Sequence, residues 1–277
     1  MPELPEIEVI RRGLQLHLPD RRIEAVFYNG KKLRHPVPLE PMQKLLIGGK
    51  ISKVCRRAKF LLVHIDNDAV LVIHLGMTGR LGLFPEGSAL APHDHLRWRL
   101  DGGLELRLHD ARRFGSVRLL TAGEAMDIET TLFKSIGPEP FSDACSPAYL
   151  FAQAEKRKQP IKTFLMDMKI VAGIGNIYAN ECLFNTGINP ARPAGGLSLH
   201  DWQRLLPELR AILQHSIDCG GSTISDYLNA GGKPGYFQIH FKVYGKKGEP
   251  CQECGTPIGM VRLGGRASYF CPACQKK

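Results

Sequence analysis

Near its C-terminal end the chain reads Cys251-Gln252-Glu253-Cys254, then sixteen residues, then Cys271-Pro272-Ala273-Cys274. Each Cys-x2-Cys knuckle presents two thiolates to one ion, and four soft sulfurs complete the tetrahedral shell that zinc prefers. With every position filled by protein, the implied Zn2+ is structural, and one ion is expected. Between the knuckles, Ile258–Leu263, a Gly264-Gly265 turn and Arg266–Phe270 read as a β-hairpin. So small a hairpin cannot build a core, so the metal must hold it together. Disulfides fit poorly with a chain this long for which no secretory leader is expected. The remaining cysteines, Cys55, Cys145, Cys182 and Cys219, are scattered and read as small buried hydrophobes. Arg266 follows the turn, where a basic side chain either clamps a phosphate or is simply solvated.

Upstream of this module the periodicity is helical. Pro160–Lys169 and Asn176–Phe184 read as two short helices joined by Val171-Ala172-Gly173-Ile174-Gly175. The glycines permit close backbone approach, and Asn176 is placed to cap the second helix, whose free amides attract anions. Lys156, Arg157, Lys158, Lys162 and Lys169 surround the unit and favour contact with a phosphate backbone over an ordinary self-packed helix pair. A third helix is expected from Ser198, with Asp201 completing an approximate capping box. Pro207 should delay or kink it. Residues 220–248 are rich in glycine and lack periodicity, as a long functional loop would.

The N-terminal half reads differently. Ile7, Ile10, Leu14 and Leu18 share one face of a leading helix, with Pro5 in its first turn. Then come short β-rich runs at Ile23–Tyr28, Phe60–Ile65, Ala69–Leu75, Leu104–Leu108 and Val117–Leu120, split by turns such as Asp66-Asn67-Asp68 and Asp101-Gly102-Gly103. Their spacing suggests an antiparallel sandwich or barrel. Ser135–Ser142 reads as a linker. The expected class is α+β. Residues 1–133 form a β-sandwich domain with a leading helix, 134–142 a linker, 143–248 a helical domain and 249–277 the zinc finger.

Composition narrows the partner. Lys and Arg outnumber Asp and Glu by 37 to 27, for a net charge of +10, which favours a polyanion without specifying any chemistry. No apolar run approaches the roughly 20 residues needed to span a bilayer. A soluble, cytoplasmic protein with no membrane partner is expected.

The chain begins Met1-Pro2-Glu3-Leu4-Pro5-Glu6. Removal of Met1 would expose Pro2, whose amine is partly neutral near pH 7 because a free α-amino group has a pKa of about 7.7–8.0. A neutral amine attacks sugar aldehyde carbons to give Schiff bases, and Glu3 beside it could shuttle protons. Taken alone, the hexapeptide reads better as a helix lead whose acids favour the positive helix end than as a reactive site.

Other stretches accompany it in order: Ala58-Lys59-Phe60, His74-Leu75-Gly76-Met77, Arg112-Arg113-Phe114-Gly115, Gly175-Asn176-Ile177-Tyr178, Lys233-Pro234-Gly235-Tyr236 and the four cysteines. In this combination, which spans nearly all of its length, the chain resembles the formamidopyrimidine-DNA glycosylase family. The resemblance implies a helix-two-turn-helix in the helical domain. It also implies a bifunctional glycosylase and abasic-site lyase of base excision repair, a monomer acting on double-stranded DNA that carries oxidised purines or abasic sites, without a redox cofactor. It assigns Pro2 as nucleophile, Glu3 as general acid and Lys59 as phosphate ligand and lyase helper. Met77, Arg112 and Phe114 would fill the void left by a flipped nucleotide. Arg266 and Asn176 would grip phosphates beside the lesion. His74, His93 and Lys158 fall where the family contacts DNA. Some family descriptions make the hairpin arginine a proton donor, but a guanidinium with a pKa above about 12 is a poor acid, so a clamp is the expected role. The 219–236 loop should cover the flipped base, with Thr223 and Tyr236 as candidate readers. Two departures stand out. Ala111 replaces a common proline before the arginine pair, and Arg157 replaces a common lysine.

Two rival readings follow. An endonuclease VIII-like enzyme would share the fold but excise oxidised pyrimidines; Leu4 and Arg112-Arg113-Phe114 argue against it. A zinc-finger DNA-binding protein without catalysis would share the charge, zinc and helix pair, and only Pro2 and Glu3 argue against that.

Overall fold

The structure is a computed structural model, and residues 2–221 and 241–276 are described. They fall into two compact units, residues 2–134 with 219–221 and residues 135–218 with 241–276.

The first unit opens with α1 (Leu4–His17), which buries Leu4, Ile7, Ile10 and Leu14. It stops where Pro19 removes the next backbone donor. β1 (Ile23–Tyr28), α2 (Leu39–Leu46), β2 (Ile51–Arg57), β3 (Phe60–Ile65), β4 (Val70–His74), β5 (Gly79–Pro85), β6 (Asp94–Leu100), β7 (Leu104–Asp110), β8 (Ser116–Leu120) and α3 (Ala122–Met126) follow. The strands make two antiparallel four-stranded sheets, ordered β1-β6-β7-β5 and β2-β3-β4-β8. Alternate residues of both sheets, among them Leu61, Val63, Leu71 and Ile73 from one and Leu96, Trp98, Leu106 and Leu108 from the other, join the α1 stripe in a single apolar core. The expected sandwich is therefore present, with three strands (β2, β5 and β6) and two helices (α2 and α3) beyond the sequence reading.

Alternating charge hides one of the missed strands. In β6, Arg97 and Arg99 alternate with Leu96, Trp98 and Leu100, so half the segment looks like a charged loop. Those arginines are neutralised across the sheet. Glu105 accepts from Arg97 at 3.0 Å and pairs with the fully buried Arg107 at 2.8 Å. Arg107 also donates to the carbonyls of Ser88 and Ala89 and lies 4.8 Å from the Phe84 ring centre. A charge buried this deeply persists only because its donors are satisfied.

The second unit contains α4 (Pro147–Ala154), capped by Ser146, whose hydroxyl accepts from the Tyr149 amide at 3.1 Å. Then come α5 (Ile161–Leu165), α6 (Asn176–Asn185) and α7 (Leu199–Asp218), followed by the hairpin β9 (Gly259–Leu263) and β10 (Arg266–Phe270). Leu150, Phe164, Tyr178, Cys182, Trp202 and Leu209 are among the residues of its core. α5 is shorter than the helix expected over 160–169. The Lys169 amide is taken by the Asp167 side chain at 3.0 Å, which favours a turn there. The capping box at the head of α7 is present, Ser198 and Asp201 bonding reciprocally at 2.9 and 3.2 Å. α7 continues through Pro207, so the later start does not occur. Residues 135–142 are bonded to their neighbours in this unit. The Gly137 amide donates to Met168, Pro138 accepts from Ala172, and Arg210 reaches the carbonyls of Pro140 and Ser142. Of the scattered cysteines, Cys145 and Cys182 are buried and burial pushes both thiols up, Cys145 to about 11. Cys55 and Cys219 are only half-buried, contrary to expectation.

Candidate functional site

At the head of the first unit, Glu3 is the N-cap of α1. Its side chain accepts from the Glu6 amide, while the Glu6 carboxylate accepts from the Glu3 amide at 2.8 Å. This reciprocal box leaves Glu3 only 2% exposed and fixes the half-buried Pro2 immediately ahead of it. A carboxylate at a helix N-terminus is favoured by the backbone dipoles. The Pro2 nitrogen, which is an amine only once Met1 is removed, and the Glu3 carboxylate thus sit on adjacent residues at the head of a rigid element.

Lys59 is 5% exposed and sits at the β2–β3 turn, where Ala58 takes a positive φ of 52°. The turn is braced from α1. Arg56 bonds Glu8 at 3.1 Å and donates its other nitrogen to the Ala58 carbonyl at 3.0 Å. Burial alone would raise the Glu8 carboxyl, but Arg11 and Arg56 hold it below its ordinary value. Sequence reasoning found neither Glu8 nor Arg56.

Two loops carry the expected void-filling residues. Met77 is half-buried in the β4–β5 turn; Arg112 and Phe114 are exposed in the β7–β8 loop. Gly76 has φ +65°, and a Cβ there would lie 2.4 Å from the Phe114 carbonyl carbon, so only glycine lets the loops close on each other. The Arg112 guanidinium lies 4.7 Å from the Phe114 ring centre. Both loops also meet Asp110, which is fully buried. Its two carboxylate oxygens accept from the Thr78 hydroxyl at 2.6 Å and from the Gly115 amide at 2.7 Å. Sequence reasoning missed Asp110, although strand parity puts it on the same side of β7 as Leu106 and Leu108.

His74 ends β4 against Phe60, with ring centres 4.9 Å apart. Burial, helped by Lys59 and Arg34, pulls its pKa down to about 4, so the ring is neutral at physiological pH. Its Nδ1 lies 3.1 Å from the Gly76 amide and accepts from it, leaving the proton on Nε2 as a donor. His93 is exposed, with its ring 5.5 Å from that of His109.

In the second unit, Gly173 takes φ +82° in the α5–α6 turn. Gly175 is the N-cap of α6, so Asn176 is the first helical residue and not the cap expected for it. The reason is visible in the backbone: Gly175 is extended and accepts the first helical bond, from Ala179 at 3.2 Å. The Asn176 Oδ1 is buried without a hydrogen-bond partner among the described residues. Lys158 is exposed just before α5.

Gly264 and Gly265 both have positive φ, which a two-residue hairpin turn with the right twist requires. Arg266 is exposed directly after them. The hairpin is docked by the buried Lys162, which donates to the Ala267 carbonyl at 2.7 Å and the Ser268 hydroxyl at 2.8 Å. Asn180 adds a second anchor, accepting from the Tyr269 amide at 2.7 Å and donating to the Asn176 carbonyl at 2.6 Å.

The four cysteine sulfurs lie within 4.8 Å of one another, with neighbouring pairs at 3.4, 3.5 and 3.9 Å. A tetrahedron of about 2.3 Å Zn–S bonds has sulfurs about 3.8 Å apart, so the cluster fits one zinc ion with no open position. The Cys274 amide points at the Cys271 sulfur at 3.4 Å, the kind of outer bond that steadies a thiolate. Thr223, Tyr236 and the Lys233–Tyr236 motif lie outside the described residues.

The described residues thus combine a β-sandwich, a helix pair joined by a glycine turn and a hairpin whose four cysteines fit one zinc ion. Three family patterns match: "Formamidopyrimidine-DNA glycosylase N-terminal domain" over residues 1–117, "Formamidopyrimidine-DNA glycosylase H2TH domain" over 136–227, and "Zinc finger found in FPG and IleRS" over 248–277. A formamidopyrimidine-DNA glycosylase of Hahella chejuensis is 44% identical over 276 residues, covering 100% of both chains. Two crystal structures of the Lactococcus lactis enzyme superimpose with TM-scores of 0.90 at 33% identity, again over 100% of both chains. One, a point variant, holds Fapy-dG DNA, and the other holds DNA with an oxidised pyrimidine. The chain belongs to the formamidopyrimidine-DNA glycosylase family.

Proposed function

We propose that this protein is a bifunctional DNA glycosylase and abasic-site lyase of base excision repair, acting on 8-oxoguanine and formamidopyrimidines in duplex DNA. The observation that carries this reading is the Pro2–Glu3 step, a proline nitrogen that removal of Met1 turns into a secondary amine, beside a buried carboxylate fixed by the α1 capping box.

The target sugar carbon is hidden in the duplex, so the nucleotide must be flipped out, at a cost of a few kcal/mol. Met77 and Phe114 replace the lost stacking and Arg112 pairs with the orphaned base. Glu3 carries the proton lost by the attacking Pro2 nitrogen to the ring oxygen, and the sugar opens. The Pro2 nitrogen attacks C1′, the bond to the base breaks, and an iminium forms. The iminium acidifies C2′. Loss of that proton breaks the C3′–O bond and releases the 3′ phosphate; a second elimination releases the 5′ phosphate. Lys59 binds phosphate and assists these eliminations. Arg266, Asn176 and Lys158 hold the backbone, with His74 and His93 adding donors. Zinc braces the hairpin that presents Arg266, and takes no part in the bond-breaking. The enzyme works as a cytoplasmic monomer, on the nucleoid while acting.

Borohydride reduction at an abasic site traps the iminium as a covalent protein–DNA adduct. The adduct should form with the processed protein, vanish with Pro2→Gly and diminish with Glu3→Gln. A processed, DNA-binding protein that gives no adduct overturns the reading. The Lactococcus complex with an oxidised pyrimidine makes the substrate class a question for direct assay. Duplexes carrying 8-oxoguanine opposite cytosine should be cut faster than those carrying thymine glycol.

A further inference from the structure

We infer that Asp110 is a positioning residue that couples the two void-filling loops, so that Met77 and the Arg112–Phe114 segment enter the duplex as one wedge. The inference rests on the wedge role proposed above and adds the device that sets its geometry.

Asp110 ends β7, opposite Gly79 at the start of β5, and no part of it reaches solvent. One carboxylate oxygen holds Thr78, next to Met77; the other holds the amide of Gly115, next to Phe114. Thr78 passes the contact on, because its oxygen accepts from the Arg112 amide at 3.1 Å. The Asp110 backbone is equally engaged. Its carbonyl accepts from the Arg113 amide at 3.2 Å and from His95 Nε2 at 2.9 Å, and its amide donates to the His93 carbonyl at 3.0 Å. One residue thereby fixes the neighbours of Met77, Arg112, Phe114 and His93.

The packing leaves no slack for a substitute. A Cβ on Gly115 would stand 3.0 Å from the Asp110 carboxylate and 3.1 Å from the His74 carbonyl. Arg113, between the two void-filling residues, sits at φ +58°, a conformation that a non-glycine residue adopts only when its surroundings impose it. The Asp110 carbonyl bonds the Arg113 amide and its carboxylate bonds Gly115 two residues later, so the strained residue is pinned on both sides. Charge-assisted bonds are shorter and roughly twice as strong as neutral ones, which suits a carboxylate here over an amide. Asparagine would offer one acceptor oxygen where the structure uses two.

The test compares two substrates. An 8-oxoguanine–cytosine duplex requires the wedge to displace a paired base, whereas a preformed abasic site has no base to displace. Asp110→Asn and Thr78→Val should slow single-turnover excision from the lesion duplex by at least about tenfold, the scale of a lost hydrogen bond to a charged group. Both should cut the abasic site within about twofold of wild type, and so report a folded protein. Thr78→Ser, which keeps the hydroxyl, should match wild type on both substrates. Equal loss on the two substrates would make Asp110 a merely structural brace and overturn the inference. So would no loss on either. Met77→Ala and Phe114→Ala separate this from the underlying reading. If they leave the lesion duplex unaffected, the wedge role itself fails; if they slow it while Asp110→Asn and Thr78→Val do not, only the coupling fails.

Discussion

Gly76→Ala should damage the protein far more than its one added methyl suggests. Two costs combine. The residue sits at φ +65°, where a side chain costs roughly 1–2 kcal/mol. The new Cβ would also stand 2.4 Å from the Phe114 carbonyl carbon and 2.6 Å from both the Phe114 oxygen and the Gly115 nitrogen. Carbon contacts relax near 3.5 Å, so the two loops must part by about 1 Å, and no rotamer change can relieve a clash with backbone. Overpacking of this kind costs roughly 1–3 kcal/mol, for a total near 2–5 kcal/mol. Gly30→Ala is the control, since Gly30 has φ +77° but no atom within 4 Å of its Cβ position, leaving the conformational cost alone. Urea unfolding can be followed by Trp98 fluorescence in a Trp202→Phe background, because these two tryptophans lie in different units. The expected gap between the two alanine variants is roughly 1–3 kcal/mol. Because the parted segments carry Met77 and Phe114, excision of 8-oxoguanine should fall by at least about tenfold in Gly76→Ala only, as misplacements near 1 Å do elsewhere. Equal stability losses in the two variants would refute the loop-closure reasoning.

Three further outcomes are expected. His74 has a folded pKa of about 4, below its ordinary 6.5, so the unfolded chain takes up the proton first. Its contribution to stability is therefore complete above about pH 6.5 and is lost as pH falls toward about 4; His74→Gln should flatten the urea midpoint across that window. A strong chelator should release about one zinc per chain and abolish binding to abasic-analogue DNA, both restored by added zinc; retained binding would show that the hairpin is dispensable. Lys162→Met leaves the Ala267 carbonyl and the Ser268 hydroxyl without their buried donor, which should cost about 1–3 kcal/mol and speed chelator-driven zinc loss. Zinc release at the wild-type rate would mean that Lys162 does not dock the hairpin.

Elements governed by short-range patterning were legible in the sequence. The cysteine spacing foretold the hairpin and the cluster, and the period of Ile7, Ile10 and Leu14 foretold α1. Where tertiary contacts override local composition, legibility failed. β5 carries two glycines and a proline yet pairs along its whole length with β7. β2 is rich in basic and small residues and is a strand because β3 completes its ladder. Asn176 looked like a cap because asparagine favours caps; Gly175 took the position because its backbone is extended there. Pro2, Glu3 and Lys59 were found by resemblance. From the residues alone, the N-terminal hexapeptide reads better as a helix lead.

The side chains that organise the site are a different case, because their identity was legible and their partners were not. Asp110, Asn180 and Glu181 are all buried, and all accept backbone amides from segments distant in sequence or across a loop. Glu181 takes three of them, from Lys242, Val243 and Tyr244 at 2.7–3.1 Å. A buried carboxylate without donors would cost several kcal/mol, so each must find N–H groups, and loops and chain returns are where unpaired ones occur. Parity shows which face such a residue occupies. Asp110 shares its side of β7 with Leu106 and Leu108, an apolar address for a charge. An acid at an apolar address beside a glycine-bearing loop therefore marks a residue that holds the loop, even before its partner can be named. The same rule passes over Glu86 and Glu253, whose exposed carboxylates sit in weak pairs with Arg99 and Lys242 and should tolerate replacement by glutamine within about 1 kcal/mol.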